Sequence, residues 1–464
     1  MAEDSQMRLK ITGGRVFDPI SHSHGEIREI YVQDGRISPH LGEVDRVVDA
    51  AGQVVVAGGI ELRGRVAAYG LDWLRLQGLA PPLPRLGTEY ALLGYTHVHE
   101  PFLTLGTAAY VHRDLSRLPL VDTSASLLLN LRDMDLWLRT PERLPEVLET
   151  VCFLLEQTRT VSFWVAEPYV RYRQEFYRHR AMSLEAGLEV LTRLAQTAPA
   201  PMAQEASPEL LEAGLPEPRL LHLSGLSQAL IGEAQAAGAE QHLARGGTTD
   251  PGLLPPMPAL AAGAAPVRMD WGGFQPLELT PDYTPEQARL SLALALNHLG
   301  PGLALSRGQP WASPLDAYPA MSAWLWDQEA RRREWGGELS QRQPSLLDWV
   351  WATRTLPARL LGLADRGHLA AGALADLAIY DLPPDALPAA WGGHLGRCRT
   401  LLKRGQVVVD NFQLVAPDAP KATWRRVTGA GLTSLVEEMA QYRSQRLEHL
   451  GVPAALAGPW AQVG

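Results

Sequence analysis

The sequence predicts an α/β protein: a (β/α)8 barrel joined to a composite β-sandwich that both ends of the chain build together. Three observations predict it. The chain has 464 residues, too many for one simple core. Its two ends are rich in short β-type runs bounded by turn residues. Between them, roughly 300 residues alternate strand-like and helix-like stretches, which fits a barrel better than an open sheet.

In the first 57 residues, Leu9-Lys10-Ile11 precedes Gly13-Gly14, and Arg15-Val16-Phe17 runs into Asp18-Pro19. Ile30-Tyr31-Val32 leads through Asp34-Gly35 to Arg36-Ile37, a hairpin signal. Near the other end, Asp376 to Asp381 alternates as a strand, and Thr400 to Val409 reads as a hairpin turning at Gly405. In the middle, Leu144, Val147, Leu148, Val151, Leu154 and Leu155 recur at helical spacing, opened by Thr140-Pro141-Glu142 with Thr140 as N-cap. Val161 to Val165 and Leu220 to Leu223 read as strands, 183–196 as a helix, and Thr284-Pro285-Glu286 as a helix start. Residues 246–267, rich in Pro, Gly and Ala, read as a loop. The expected organisation is a sandwich from 1–57 and 361–415, a barrel over 58–360, and a C-terminal extension over 416–464.

Composition excludes several classes. The net charge is −9 with no basic block, which argues against nucleic acid as a partner. Two cysteines, Cys152 and Cys398, far apart, suit a reducing compartment and give no metal-ligand spacing. The N-terminal residues lack the basic flank and apolar core of a signal peptide. No run of about 18 apolar residues occurs, so no membrane span is expected. A cytoplasmic protein is the expectation.

Several stretches carry a resemblance. They are Gly87 to Thr96, Glu100-Pro101, Asp365-Arg366-Gly367-His368-Leu369, Gly372-Ala373 and Asp376 to Asp381. Together they resemble the A subunits of formylmethanofuran dehydrogenase and of the bacterial formyltransferase/hydrolase complex, within the amidohydrolase superfamily. The similarity runs from about residue 8 to beyond Trp424. It implies a barrel of amidohydrolase type, a binuclear zinc site, and hydrolysis of a formyl group from the amine of a furan-type C1 carrier. It also implies the other proteins of such a complex as partners and a polyglutamyl furan carrier as a ligand.

The family's metal residues do not carry over. Its first strand ends in His-x-His, two imidazoles on one strand face; here Gly58-Gly59-Ile60-Glu61-Leu62-Arg63-Gly64-Arg65 puts Arg63 and Arg65 there. A guanidinium has no free lone pair and stays charged, so it cannot ligate a cation. The family's bridging lysine corresponds to Trp164, its next histidine pair to Leu220 and His222, and a further histidine to Arg245 in His242-Leu243-Ala244-Arg245. Its catalytic aspartate corresponds to Gly308 in Arg307-Gly308-Gln309-Pro310-Trp311, with Tyr318-Pro319 kept downstream. Hydrolysis through zinc-activated water has no support in such a set. The expectation is a dismantled metal site with no cofactor, in a protein serving its complex as scaffold.

Two readings of the arginines remain open. They would bind the carboxylates of a carrier, with Asp270 and Gln309 nearby, or they would fill the vacated cavity by pairing with Glu61, Glu100 or Asp270. The intact His97-Val98-His99-Glu100 offers a different alternative, an active hydrolase with a relocated single zinc ion; the plainer reading is two ordinary loop histidines. Ser21 to Gly25 reads as a solvated turn. The thirteen tryptophans, paired in Trp324-Leu325-Trp326 and Trp349-Val350-Trp351, read as core or subunit interface.

Overall fold

The computed structural model describes residues 8–463 apart from 41, 68–70, 77, 79, 131–140, 167–183, 199, 214–221, 251–266, 271–272, 277–283, 307–317, 416–420, 428–432, 443–451 and 454–459. The N-terminal run supplies β1 (Leu9–Thr12), β2 (Arg15–Asp18), β3 (Ser23–Ile27), β4 (Ile30–Gln33), β5 (Arg36–Ser38), β6 (Arg46–Asp49) and β7 (Val54–Ala57). The middle supplies β8 (Gly59–Glu61), β9 (Tyr95–Leu103), β10 (Asp122–Asn130), β11 (Ser162–Ala166), β12 (Met202–Glu205), β13 (His222–Ser224) and β14 (Thr248–Asp250). A hairpin of β15 (Val267–Asp270) and β16 (Gly273–Pro276) follows. The last part gives β17 (Leu377–Tyr380), β18 (Thr400–Lys403), β19 (Gln406–Asp410), β20 (Gln413–Leu414), β21 (Ala422–Arg425) and β22 (Trp460–Val463).

Both chain ends share one sandwich, as the sequence predicts. One sheet has the order β5-β4-β1-β6, and the other β20-β19-β18-β17-β7-β2-β3, so β17 to β20 complete a sheet begun by β2, β3 and β7. Leu9, Ile11, Val16, Val32, Val55, Leu377, Ile379 and Leu402 meet in the core between them. The β18–β19 turn takes Arg404 and Gly405 at φ 48° and 77°, the left-handed pair that a tight hairpin needs. The alternation in β7 serves two layers: Val55 and Ala57 face the sandwich core, while Val54 and Val56 pack with the larger helical cluster.

Gly58 and Gly59 carry the chain from β7 into the first barrel strand. A Cβ at Gly58 would lie 2.3 Å from the Thr96 hydroxyl, so this crossing leaves no room for a side chain. Strands β8 to β14 then pair in order, all parallel. The eighth position is Leu303–Leu305: the Ala304 N–H donates to the Thr249 carbonyl at 2.9 Å, and Thr249 bridges Leu303 in parallel. Helices on the outside include Leu144–Thr158, Leu184–Thr197 and Pro285–His298, the last opened by a capping box in which Thr284 and Gln287 each satisfy the other's backbone N–H.

Several expectations are corrected by this architecture. Residues 246–267 are not one loop, because Thr248–Asp250 is the seventh barrel strand; it is only three residues long and its Gly-rich flank hid it. The segment after 416 is not merely appended. β21 pairs β10 at Thr123, and β22 pairs β21, so the C-terminal segment adds two strands to the barrel sheet. The N-cap expected at Thr140 lies outside the described residues; a short 3-10 turn over Pro141–Arg143 leads into the helix. Ser21 to Gly25 is partly a strand, with Ser23 buried in β3 and His22 and His24 exposed. Of the paired tryptophans, Trp324, Trp326 and Trp349 are buried in the core, as one of the two readings expects, with edge contacts to Trp335, Trp391 and Tyr380, while Trp351 is half-buried. Among the described residues, no helix is long and apolar enough to cross a membrane.

Candidate functional site

Parallel barrels present their chemistry at the carboxyl ends of the strands. At that end, the Arg63 N–H donates to Glu61 Oε1 at 2.9 Å, which fixes the turn leaving β8. The Arg63 side chain then reaches across the mouth, and its NH1 lies 3.4 Å from Asp250 Oδ1 at the end of β14. His222 Nε2 donates to Asp250 Oδ2 at 2.9 Å, and Ser306 Oγ donates to Oδ1 at 2.7 Å. Thr248 Oγ1 lies 3.4 Å from the other His222 nitrogen. Beneath this set, the Arg63 guanidinium stands 5.4 Å from the centre of the Trp164 ring, a cation–π distance. Gly225 permits the approach, since a Cβ there would come 3.0 Å from Arg63 NH1.

The whole group is buried: Arg63 is 5% exposed, Trp164 1% and Asp250 0%. Burial by itself would raise the Asp250 pKa. The Arg63 charge and the hydrogen bonds from His222 and Ser306 outweigh it and hold the carboxyl well below the usual carboxylate range. Asp250 is therefore an anion whose countercharge is a guanidinium.

Of the residues singled out in the sequence, the structure brings Arg63, Trp164 and His222 together. The partner of Arg63 is a correction: its guanidinium pairs with Asp250, while Glu61 takes its backbone N–H. Glu100 accepts the Ala67 N–H at 2.8 Å. Arg65 is half-buried, in a left-handed conformation at φ 42°. Arg245 does not line the mouth; it is exposed at the C-terminal end of helix Glu233–Ala244, which leads towards the amino end of β14. Leu220, Gly308 and Gln309 lie outside the described residues, as do Trp311 and the side chain of Asp270. Asp250 and Ser306 escaped the sequence reading. The one signal for Asp250 was the β-branched pair Thr248-Thr249 before it.

His97 and His99 are not in a loop. They sit on β9, near the amino end of the barrel, where His97 pairs in register with Asp122, the first residue of β10. All four ring nitrogens are engaged. His97 contacts Ser124 Oγ at 2.7 Å and Arg366 NH1 at 3.0 Å; His99 contacts Ser124 Oγ at 2.8 Å and Ser126 Oγ at 2.7 Å. Next to them, Asp122 accepts from Lys403 Nζ and Arg404 NH1 at 2.8 Å and from the Lys421 N–H at 3.0 Å, with Arg366 NH1 at 3.4 Å. Burial raises the Asp122 pKa, and the Lys403, Arg366 and Arg404 charges more than reverse that, holding it below the usual range. Among the described residues, no three His, Cys, Asp or Glu side chains are grouped as a metal ion requires.

A parallel barrel sheet attached to a sandwich made from both termini is the architecture of the amidohydrolases, and a model of the amidohydrolase family matches residues 280–409. The chain is 26% identical to the A subunit of the formyltransferase/hydrolase complex Fhc of Methylorubrum extorquens, covering 97% of each chain. It is 23% identical to the protein FwdA of Methanocaldococcus jannaschii, covering 98% of each. A crystal structure of the FhcABCD formyltransferase/hydrolase complex from Methylorubrum extorquens with methylofuran contains a chain of the same fold, with a TM-score of 0.80 at 24% identity over 98% of this chain and 99% of that one. By sequence over nearly its whole length, then, the chain is a homologue of the Fhc A subunit and of FwdA.

Proposed function

We propose that this chain is a non-catalytic A subunit of a formyltransferase/hydrolase-type complex in one-carbon metabolism, serving as a scaffold for its partner proteins. The relatives supply the complex and the furan carrier as context, since the similar structure is of an assembly holding methylofuran. The observation that carries the reading is Arg63, whose buried guanidinium lies 3.4 Å from Asp250. The resemblance implies a binuclear zinc site, and the residues present do not fit one. A guanidinium offers no lone pair, an indole offers none, and the carboxylate at the site already has a cation.

If the furan carrier binds this chain, the Arg63 guanidinium does not serve it, because Asp250 and Trp164 already enclose it. Of the two arginines, a carboxylate tail could reach only Arg65, which is half-buried. The relocated zinc reading at His97 and His99 gains nothing from their position. They lie towards the amino end of the barrel, and serines and Arg366 occupy their ring nitrogens.

The test is metal analysis of the protein purified with its co-purifying partners, alongside formate release from a formylated furan amine. The expected result is well under one equivalent of zinc, iron, nickel or manganese per chain, with no formate released by this protein. Stoichiometric metal bound to this chain, or formate release that a variant of its mouth abolishes, overturns the reading. Failure to isolate it with any partner protein overturns the scaffold role.

A further inference from the structure

The His-x-His motif of β9 has no part in the proposed function, yet its surroundings specify its state atom by atom. A guanidinium nitrogen can only donate, so at the 3.0 Å contact with Arg366 the His97 Nδ1 must accept. Burial and the Arg366 charge push the His97 pKa well down, so the ring is neutral and its proton is on Nε2. That N–H donates to Ser124 Oγ at 2.7 Å. Ser124 has one proton, and its other ring neighbour is His99 Nδ1 at 2.8 Å, so it donates there. Burial pushes His99 down to about 3, so this ring is neutral too and carries its proton on Nε2, which donates to Ser126 Oγ at 2.7 Å. Ser126 in turn donates to Ser162 Oγ at 2.6 Å.

We propose that Arg366 sets the polarity of a one-way hydrogen-bond chain, Arg366 to His97 to Ser124 to His99 to Ser126 to Ser162, which locks both imidazoles as Nε2–H tautomers and fixes the register of three barrel strands. The chain follows the strand pairing: His99 is opposite Ser124 across β9 and β10, and Ser126 is opposite Ser162 across β10 and β11. A slip of one residue in either pair turns the members on the slipped strand to the other face of the sheet from their partners and breaks the chain there. The two histidines are thus positioning residues for the closed end of the barrel, whether or not the mouth is catalytic. Their ring lone pairs are on Nδ1, where they accept from Arg366 and Ser124 and are not aimed at a shared ion.

Nitrogen NMR on the full-length protein labelled in its histidine rings tests it, with His97→Asn and His99→Asn used to assign the two signals. The expected spectrum has both rings protonated on Nε2 only, with no titration between about pH 5.5 and 8 and no movement on adding equimolar zinc. A proton on either Nδ1, a titration in that window, or a zinc-dependent shift of either ring overturns the proposal. Arg366→Lys, which keeps a charged donor, is expected to retain the pure tautomers, and Arg366→Met to give mixed ones. If Arg366→Met folds and keeps both rings as pure Nε2–H, Arg366 does not set the polarity. If it does not fold, Arg366→Lys carries that test, and mixed tautomers in that variant overturn the proposal.

Discussion

Replacing Arg63 by Met, which is close in length and carries no charge, isolates the ion pair at the barrel mouth. Asp250 is 0% exposed, and the guanidinium is 3.4 Å away. At an effective dielectric of 20, that separation corresponds to about 5 kcal/mol of attraction, part of which repays the desolvation of both groups. Removing one partner leaves a buried carboxylate with only His222 and Ser306 to stabilise it, so Arg63→Met is expected to cost about 3–5 kcal/mol. Asp250→Asn alone should cost a similar amount by stranding the guanidinium over Trp164. The double variant should be clearly more stable than the sum of the two losses predicts, with a coupling of about 2 kcal/mol or more. Urea unfolding followed by tryptophan fluorescence reads all four proteins. The wild-type carboxyl is held low, so its contribution is present above about pH 4 and fades as pH falls through the folded value; Arg63→Met should weaken that acid dependence. Two small single losses that simply add would refute the idea that this pair holds the mouth together.

Trp164→Ala should cost about 3–5 kcal/mol if the indole fills the space beneath Arg63; unchanged stability in the same unfolding assay would show an open mouth and favour carrier binding there. Arg63→His together with Arg65→His should release no formate from a formylated furan amine, because Trp164 stays where a bridging ligand is needed; activity above the parent would show that the other positions are misassigned. His97, His99 and His112 are buried, and burial is the first cause lowering all three, to about 3 for His99 and about 4 for His112. The unfolded chain takes up these protons near pH 6.5 while the folded one does not, so stability is full above that pH and falls below it. Each group should contribute a loss of roughly 1 kcal/mol on going from pH 7.5 to 5.5; a flat urea midpoint over that range would contradict their burial as neutral rings.

The sandwich was legible because its strands are local: short alternating runs ending in Asp34-Gly35 or Arg404-Gly405 announce hairpins. That both termini meet in one sheet followed from the matching character of the two ends, and the pairing of β7 with β17 brings it about. Arg63 was legible as a residue that cannot bind metal, but its partner was not. Asp250 is 187 positions away, on a three-residue strand inside a Gly- and Pro-rich stretch, and no local pattern links the two. The opposite error occurred at His97 and His99. Alternation in Tyr95-Thr96-His97-Val98-His99 is strand-like, but polar residues on the alternating positions suggest solvent. In the folded chain those positions face the barrel interior, where serines and Arg366 meet them.

The two buried carboxylates also explain how a barrel of this kind can stay closed. Asp250 is bonded from the end of β8 through Arg63, from β13 through His222, and from the eighth position through Ser306. The bonds from Arg63 and Ser306 thus link the first barrel strand to the eighth position, which among the described residues pairs through little more than Leu303. In a metal-bearing barrel, ions at the mouth tie strand ends together, since each ion takes ligands from several strands. A guanidinium hydrogen-bonded to a shared carboxylate does the same mechanical work without the chemistry. At the other end, Asp122 joins β10 to Arg366, to Lys403 and Arg404 of the sandwich, and to the Lys421 N–H of the C-terminal segment. With one ionic hub at each end, strands far apart in the sequence are tied together by the chain's own charged side chains.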